Sequence, residues 1–327
     1  LAQVAHALFA WHYLNINKDV FFLCYNELLT DGGCTMSPLS PSFNLLFPEW
    51  QGYASSQEVY HGALHLCNHV LEEVEFSEIE VPAEGELLLK NQILGYETSL
   101  ALFYEASSRL RKRDPDRLFM VGGTCACELA PVSFMNQKYD EGIAVLWFDA
   151  HGDLNTPASS PSNRLHGMPL RLLLGEGDEK FVSHINRPLK AFQVALVGAR
   201  DLDEGERAYV QLHDLPVFSG QKEEGDRIVD FLRDRGYKKV YIHFDLDVLE
   251  PNEFPHVLVP TPGGISLDNA IQCLKKIRSN AQIVGASIVE YCPKDGGDKK
   301  ALHRLMAEGF GYTAAVSPSA RQANTSR

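Results

Sequence analysis

The chain alternates short, near-continuous apolar runs with longer stretches whose apolar residues recur every three or four positions. RLFMVGG (117–123), IAVLWFDA (143–150), FQVALVGARD (192–201), KVYIHFDLDVL (239–249) and QIVGASIVEY (282–291) are the strand candidates. Runs with so little polar alternation belong to strands covered on both faces. Between them, GDRIVDFLRDRG sets Ile228, Val229, Phe231 and Leu232 on one helical stripe with Gly236 as the stop, and SLDNAIQCLKKI has Ser266 as its N-cap. SFNLLFPEWQG followed by the helical SSQEVYHGALHLCNHVLEEV supplies a first strand and helix, which starts the fold near residue 42. Strand then helix, repeated without a linker, a repeat or a low-complexity tract, predicts one α/β domain over residues 42–309. It is expected to be a three-layer α/β/α arrangement around a mainly parallel sheet.

The two ends read differently. LAQVAHALFAWHYLNINK is apolar but lacks the basic start and small-residue cleavage site of a signal peptide, and it is too short to span a bilayer. Residues 1–41 are therefore expected to be an N-terminal extension, either an amphipathic helix or sequence foreign to the fold. Residues 310–327 are polar with no apolar period and are expected to form a disordered tail.

Composition narrows the partners. At 327 residues, 45% hydrophobic and 22% charged, the chain has the material for a substantial core. Thirty lysines and arginines against 43 acids give a net charge of −13, which argues against nucleic acid or an anionic membrane and for a small cationic or zwitterionic ligand. Seven irregularly spaced cysteines, an odd number, point to a reducing cytoplasm without structural disulfides.

The chemistry gathers where strands end. In parallel sheets, ligands bind outside the carboxyl ends of the strands. Asp149, His151 and Asp153 follow IAVLWF at two-residue intervals and converge on one side if the extended geometry continues past Phe148. KVYIHF ends in Asp245 and Asp247. Each feature alone has an ordinary structural account: Asp-x-Asp as a cap, His151 as a hydrogen-bonded histidine, Cys125-x-Cys127 as two small apolar side chains. Together they are four buried carboxylates that repel one another, and divalent cations resolve that repulsion.

These segments resemble the arginase and agmatinase ureohydrolases, over roughly residues 42–309. DAHGDLNTP is similar to that family's Asp-Ala-His-x-Asp signature, HFDLDVLEP to its Ser-Phe-Asp-x-Asp segment, and GASIVEYCP to the stretch ending in its guanidinium-binding glutamate. VGGTCACELA resembles its Gly-Gly-Asp-His segment, with Thr124 and Cys125 in place of the aspartate and first histidine ligand. The resemblance implies two divalent ions, Mn2+ by family habit. One would be held by Cys125, Asp149, Asp153 and Asp245, and the other by His151, Asp247 and shared oxygens of Asp149 and Asp245. It assigns Glu290 to the guanidinium, Asp153 and His166 to proton transfer, and Asn155, Ser162, Asp203 and Glu206 to the α-amino and α-carboxylate groups. Asn163 and Arg164 replace the usual Gly-Asn, and Val259 a threonine.

Thr124-Cys125, the acidic loop RDLDEGE and DVLEP resemble their counterparts in the Nω-hydroxy-L-arginine amidinohydrolases of D-cycloserine biosynthesis, whereas LHGMP is more arginase-like. The implied reaction is hydrolysis of arginine or Nω-hydroxyarginine to ornithine and urea or hydroxyurea, in a cytoplasmic homo-oligomer, trimeric or hexameric. The alternatives are a deacetylase-like amide hydrolase on the same fold and a non-catalytic amino-acid-binding relative. Metal identity stays open, because a thiolate donor also suits zinc, iron or cobalt.

Overall fold

The computed structural model describes residues 38–312, apart from 86 and 223. Eight strands form one sheet: β1 (Phe43–Phe47), β2 (Ser77–Glu78), β5 (Leu118–Gly122), β6 (Ala144–Phe148), β7 (Val194–Val197), β8 (Val217–Phe218), β9 (Lys239–Phe244) and β10 (Gln282–Ile288). β3 (Leu89–Lys90) and β4 (Ile93–Leu94) make a separate antiparallel pair. Every pairing in the large sheet is parallel, in the order β2-β1-β5-β10-β9-β6-β7-β8.

Successive strand residues face opposite sides, and each side has its own core. Phe119, Val121, Leu146, Phe148, Ile242 and Phe244 pack with Ala63 and Leu66 of helix α1 (Glu58–His69), with Ile228 and Phe231, and with Ile271 and Leu274. Leu118, Met120, Val145, Trp147, Leu196 and Tyr241 pack with Leu100 and Phe103 of α2 (Tyr96–Arg113) and Val132 and Met135 of α3 (Leu129–Lys138). Helices on both faces of a parallel sheet are the expected three-layer α/β/α architecture.

The expected helices lie where their stripes put them. α5 (Glu224–Asp234) is followed by Gly236 at φ 75°, and α6 (Leu267–Asn280) begins with Ser266 Oγ accepting from Asn269 N at 3.2 Å. The acidic loop after β7 is instead the start of a helix, α4 (Glu204–Leu212). Asp203 caps it and the Glu206 carboxylate reaches back to Asp203 N at 2.8 Å, so the loop's charges satisfy helix-end amides.

At the margins, Leu39 is fully buried and its N–H donates to Phe310 O, while the Tyr312 hydroxyl donates to Asn44 at 2.9 Å. Residues 1–37 of the expected extension and 313–327 of the expected tail lie outside the described residues.

Candidate metal centre

Four neighbouring strands, β5, β10, β9 and β6, end side by side at the middle of the sheet. The turn after each delivers polar side chains into one cleft: Cys125 after β5, Glu290 after β10, Asp245 and Asp247 after β9, and His151 and Asp153 after β6. Asp201, Asp203 and Glu206 reach it from the end of β7. The cleft measures about 270 Å³, which suits one small molecule.

The extended geometry does not continue past Phe148, which corrects the simple i, i+2, i+4 picture. Asp149 N still donates to Val197 O, but Asp153 turns into the left-handed region at φ 53°. The turn brings the side chains together by a different route. His151 Nδ1 lies 3.4 Å from Asp149 Oδ1 and 3.0 Å from Asp247 Oδ2. Asp247 Oδ1 accepts from Ala150 N at 3.0 Å, and Asp245 Oδ1 from Asp247 N at 2.7 Å. Cys125 Sγ lies 3.1 Å from Asp245 Oδ2 and 3.9 Å from Asp149 Oδ2.

Three groups of ligand atoms each fall within 4.8 Å of one another: Cys125, Asp149, Asp153 and His243; Cys125, Asp245 and Glu290; and Asp149, His151 and Asp247. Burial and the surrounding carboxylates push Asp153 and Asp245 well above the usual carboxylate range, and push the Cys125 thiol up as well. Burial opposes ionisation of Asp149 too, but the imidazoles of His151 and His243 that face it hold it low. So many like charges in one buried space call for a cation. One atom identifies where it would be felt: Asp153 Oδ2 is buried without a hydrogen-bond partner. Carboxylate, imidazole and thiolate donors, one of them unsatisfied, fit a pair of divalent metal ions.

The cleft also holds the residues assigned to substrate. Glu290 is 4% exposed, in the left-handed region at φ 59°, and its Oε1 accepts from Cys125 N at 3.1 Å with His166 Nδ1 at 3.5 Å. His166 meets the Tyr53 ring edge-on at 5.2 Å. Asn155 Nδ2 donates to Asp203 Oδ2 at 2.7 Å, tying those two together. Ser162 is exposed on the rim, where its Oγ accepts from Arg164 N at 3.3 Å. Glu206 borders the cleft, but its Oε1 accepts from Leu154 N at 3.0 Å and its Oε2 from Asp203 N, so both oxygens are engaged in holding the turn. Its geometry is that of a support for Asp203 more than of a group free to meet a ligand. Arg164, stacked 4.3 Å over Tyr53, and Val259, two of the residues that depart from the arginase pattern, line the cleft.

Two residues were missed in the sequence, His243 and Glu128. Both are fully buried, with His243 Nδ1 2.9 Å from Glu128 Oε1. The signal was available: a histidine and a glutamate within otherwise apolar, fully buried segments need a partner.

The site's rear wall is laced by Arg200. Its guanidinium donates to the carbonyls of Gly198, Asp247, Val248, Thr261 and Pro262, joining the segments after β7 and β9 to the 261–262 turn.

Comparison with known proteins gives a consistent result. Residues 56–310 match the model of the arginase family. Among curated proteins, an arginase of Staphylococcus aureus is 32% identical over 181 residues, covering 53% of this chain and 60% of the relative; a Bacillus subtilis arginase is 34% identical over 183 residues, covering 53% and 61%. The matched part of the chain thus spans about three fifths of those relatives. The crystal structure of Entamoeba histolytica arginase in complex with L-ornithine superposes with a TM-score of 0.73 at 24% identity, covering 82% of this chain and 97% of that one.

Proposed function

The chain belongs to the arginase family, and from that premise we propose that it is a binuclear-metal amidinohydrolase cleaving the guanidino C–N bond of L-arginine or Nω-hydroxy-L-arginine. The observation that carries this reading is the meeting of six ligand-type side chains with Glu290 in one cleft, around a buried carboxylate oxygen that has no partner. Cys125, Asp149, Asp153 and Asp245 would hold one ion, and His151 and Asp247, with shared oxygens of Asp149 and Asp245, the other. Bound there, such ions supply the Lewis acidity that makes water nucleophilic near neutral pH.

The chain's own residues do the rest. Glu290 pairs with the planar guanidinium and holds its carbon facing the ions. Asp203, steadied by Asn155, receives the α-ammonium group, and the polar rim at Ser162 and Arg164 faces the α-carboxylate. A C–O bond forms as the C–N bond to the substrate's side chain breaks, and the departing amine needs a proton. His166, 3.5 Å from Glu290, and Asp153 would deliver it. The products are ornithine and urea, or ornithine and hydroxyurea.

Cys125 favours the hydroxylated substrate. A thiolate adds negative charge where an imidazole adds none and makes the ions weaker Lewis acids. An N-hydroxyguanidine is less basic and more readily presented in its neutral, attackable form. Manganese, a cytoplasmic setting and a homo-oligomer are parts of the same proposal. No helix among the described residues is long and apolar enough to cross a membrane, and the five described cysteines are free.

The test is protein reconstituted with Mn2+ and assayed on arginine, Nω-hydroxyarginine, agmatine and an N-acetylated amine. Urea or hydroxyurea appearing with ornithine is the expected result. Acetate release, or ligand binding without turnover, would replace this reading with an amide hydrolase or a binding protein.

A further inference from the structure

We infer that His243 is the imidazole donor to the ion nearest Cys125, and that Glu128 is the positioning residue that aims it. This deepens the metal-centre reading above and rests on it.

The geometry starts from Glu128, at the beginning of α3. Its carboxylate accepts from Tyr241 Oη at 2.8 Å and from Ser287 Oγ, and lies 2.9 Å from His243 Nδ1, all in fully buried surroundings. A carboxylate held this way takes the proton on Nδ1 and leaves a lone pair on Nε2. The ring cannot swing away, because it stacks on Trp147 at 3.7 Å with 21° between planes.

Nε2 then faces Asp149 Oδ2 at 3.5 Å and Cys125 Sγ at 3.8 Å, while Sγ and Oδ2 are 3.9 Å apart. The distance to Asp149 is too long for a good N–H···O bond. Donors at metal bond lengths of about 2.0–2.3 Å and tetrahedral angles lie roughly 3.4–3.6 Å from one another. The three observed spacings fall within a few tenths of an ångström of such a triangle. Asp153, with its partnerless Oδ2, brings a fourth donor to the same group. A core histidine with a purely structural role would have both nitrogens at hydrogen-bond distance; here Nδ1 is tightly held and Nε2 points into a cluster of other ligand atoms.

The consequence is an asymmetric pair. The ion near Cys125 has sulfur and nitrogen donors and suits zinc or cobalt, whereas the ion near His151 and Asp247 is oxygen-rich and suits manganese.

The experiment is titration of the metal-free full chain with Zn2+ or Co2+, with metal content measured directly and X-ray absorption used to identify donors. The expected result is that the sulfur-bound ion also shows an imidazole donor. In His151→Ala that signature persists. In His243→Ala it disappears and affinity for the sulfur-bound ion falls about 10- to 100-fold, with a smaller loss in Glu128→Gln. Should His243→Ala not fold, the wild-type and His151→Ala spectra decide. Two bound ions with no imidazole on the sulfur-bound one, or with no sulfur donor, overturn this inference and leave the metal hydrolase reading standing. Failure to bind any divalent ion overturns both.

Discussion

Asp245 accepts from its own turn through Asp247 N, groups with Cys125 Sγ and Glu290, and is itself only 2% exposed. Burial first, then the charges of Asp247, Asp149 and Glu290, push its carboxyl well above the usual range. This gives Asp245→Asn two opposite effects. Without metal, removing the charge relieves repulsion, so the metal-free variant should melt higher than metal-free wild type. With metal, the variant lacks the shared oxygen proposed for Asp245, and turnover should drop by more than roughly 100-fold, the upper end for losing even an outer partner. Melting curves with and without chelator, beside a urea assay, check both signs; an active variant removes Asp245 from the bridge.

A second residue sets burial against hydrogen bonding. Glu49 is buried, with Gly52 N donating to its Oε1 at 2.6 Å and Thr124 Oγ1 to its Oε2. Burial raises its pKa from 4.5 to about 7, despite those two hydrogen bonds, with Glu290 adding to the rise and His166 opposing it. The folded state therefore holds a proton that the unfolded state releases above pH 4.5. Stability is greatest below 4.5 and is lost as pH rises to about 7, by about 3 kcal/mol in all. Glu49→Gln should flatten that part of the profile. In urea unfolding of metal-free protein, the variant should gain about 3 kcal/mol on wild type between pH 4 and pH 8. Parallel profiles would show that Glu49 titrates normally.

At the scale of elements, α1 touches the site without contributing a side chain to it. Gly62 lies so close to the sheet that a Cβ there would sit 1.7 Å from Tyr291 O, next to Glu290. Gly62→Ala must push the helix or the 290–292 segment aside. Overpacking of this kind costs about 3 kcal/mol, and displacement of Glu290 should raise KM for the proposed guanidino substrate more than it lowers kcat. Denaturation midpoints and steady-state kinetics check it; a stable variant with unchanged KM would mean that α1 does not position Glu290.

The same scale explains what could be read from sequence. The five long apolar runs and the first unit became β5, β6, β7, β9, β10 and β1 because strands buried on both faces leave little room for polar residues. β2, β3, β4 and β8 have two residues each, too short for any periodicity. The start of α4 reads as part of the acidic loop RDLDEGE because its acids resemble ligand groups, although Asp203-x-x-Glu206 is a helix-capping pattern. The site was legible wherever its residues cluster after a strand, as with Asp149, His151 and Asp153. His243 and Glu128 stand out as polar residues in apolar runs, but their pairing was not legible, because it is a contact across 115 residues that only the folded sheet creates.

For the whole molecule, the centre of the sheet is both the most buried region and the place where like charges concentrate. Divalent ions therefore act on global stability as well as on activity. Ions present at 1,000 times their Kd contribute about 4 kcal/mol each, so chelation should lower Tm by roughly 10 °C, and re-addition should restore it. A Tm indifferent to chelator would mean that the folded state does not select metal.

Arg200 sets how this pocket can diverge. One guanidinium fastens three chain segments behind the cleft through five carbonyls, so a change near 259–262 disturbs its neighbours together. The rim from Ser160 to Arg164 is partly open to solvent, and it is tied down more lightly, by Leu94 N to Asn163 O and by Arg164 to Ser55. New substrate ranges should accordingly be reached through the 160–164 rim, one substitution at a time. A library randomised there should yield more folded members, counted by soluble expression, than an equal library at 259–262, and lineages exploring new guanidino compounds should begin on that side.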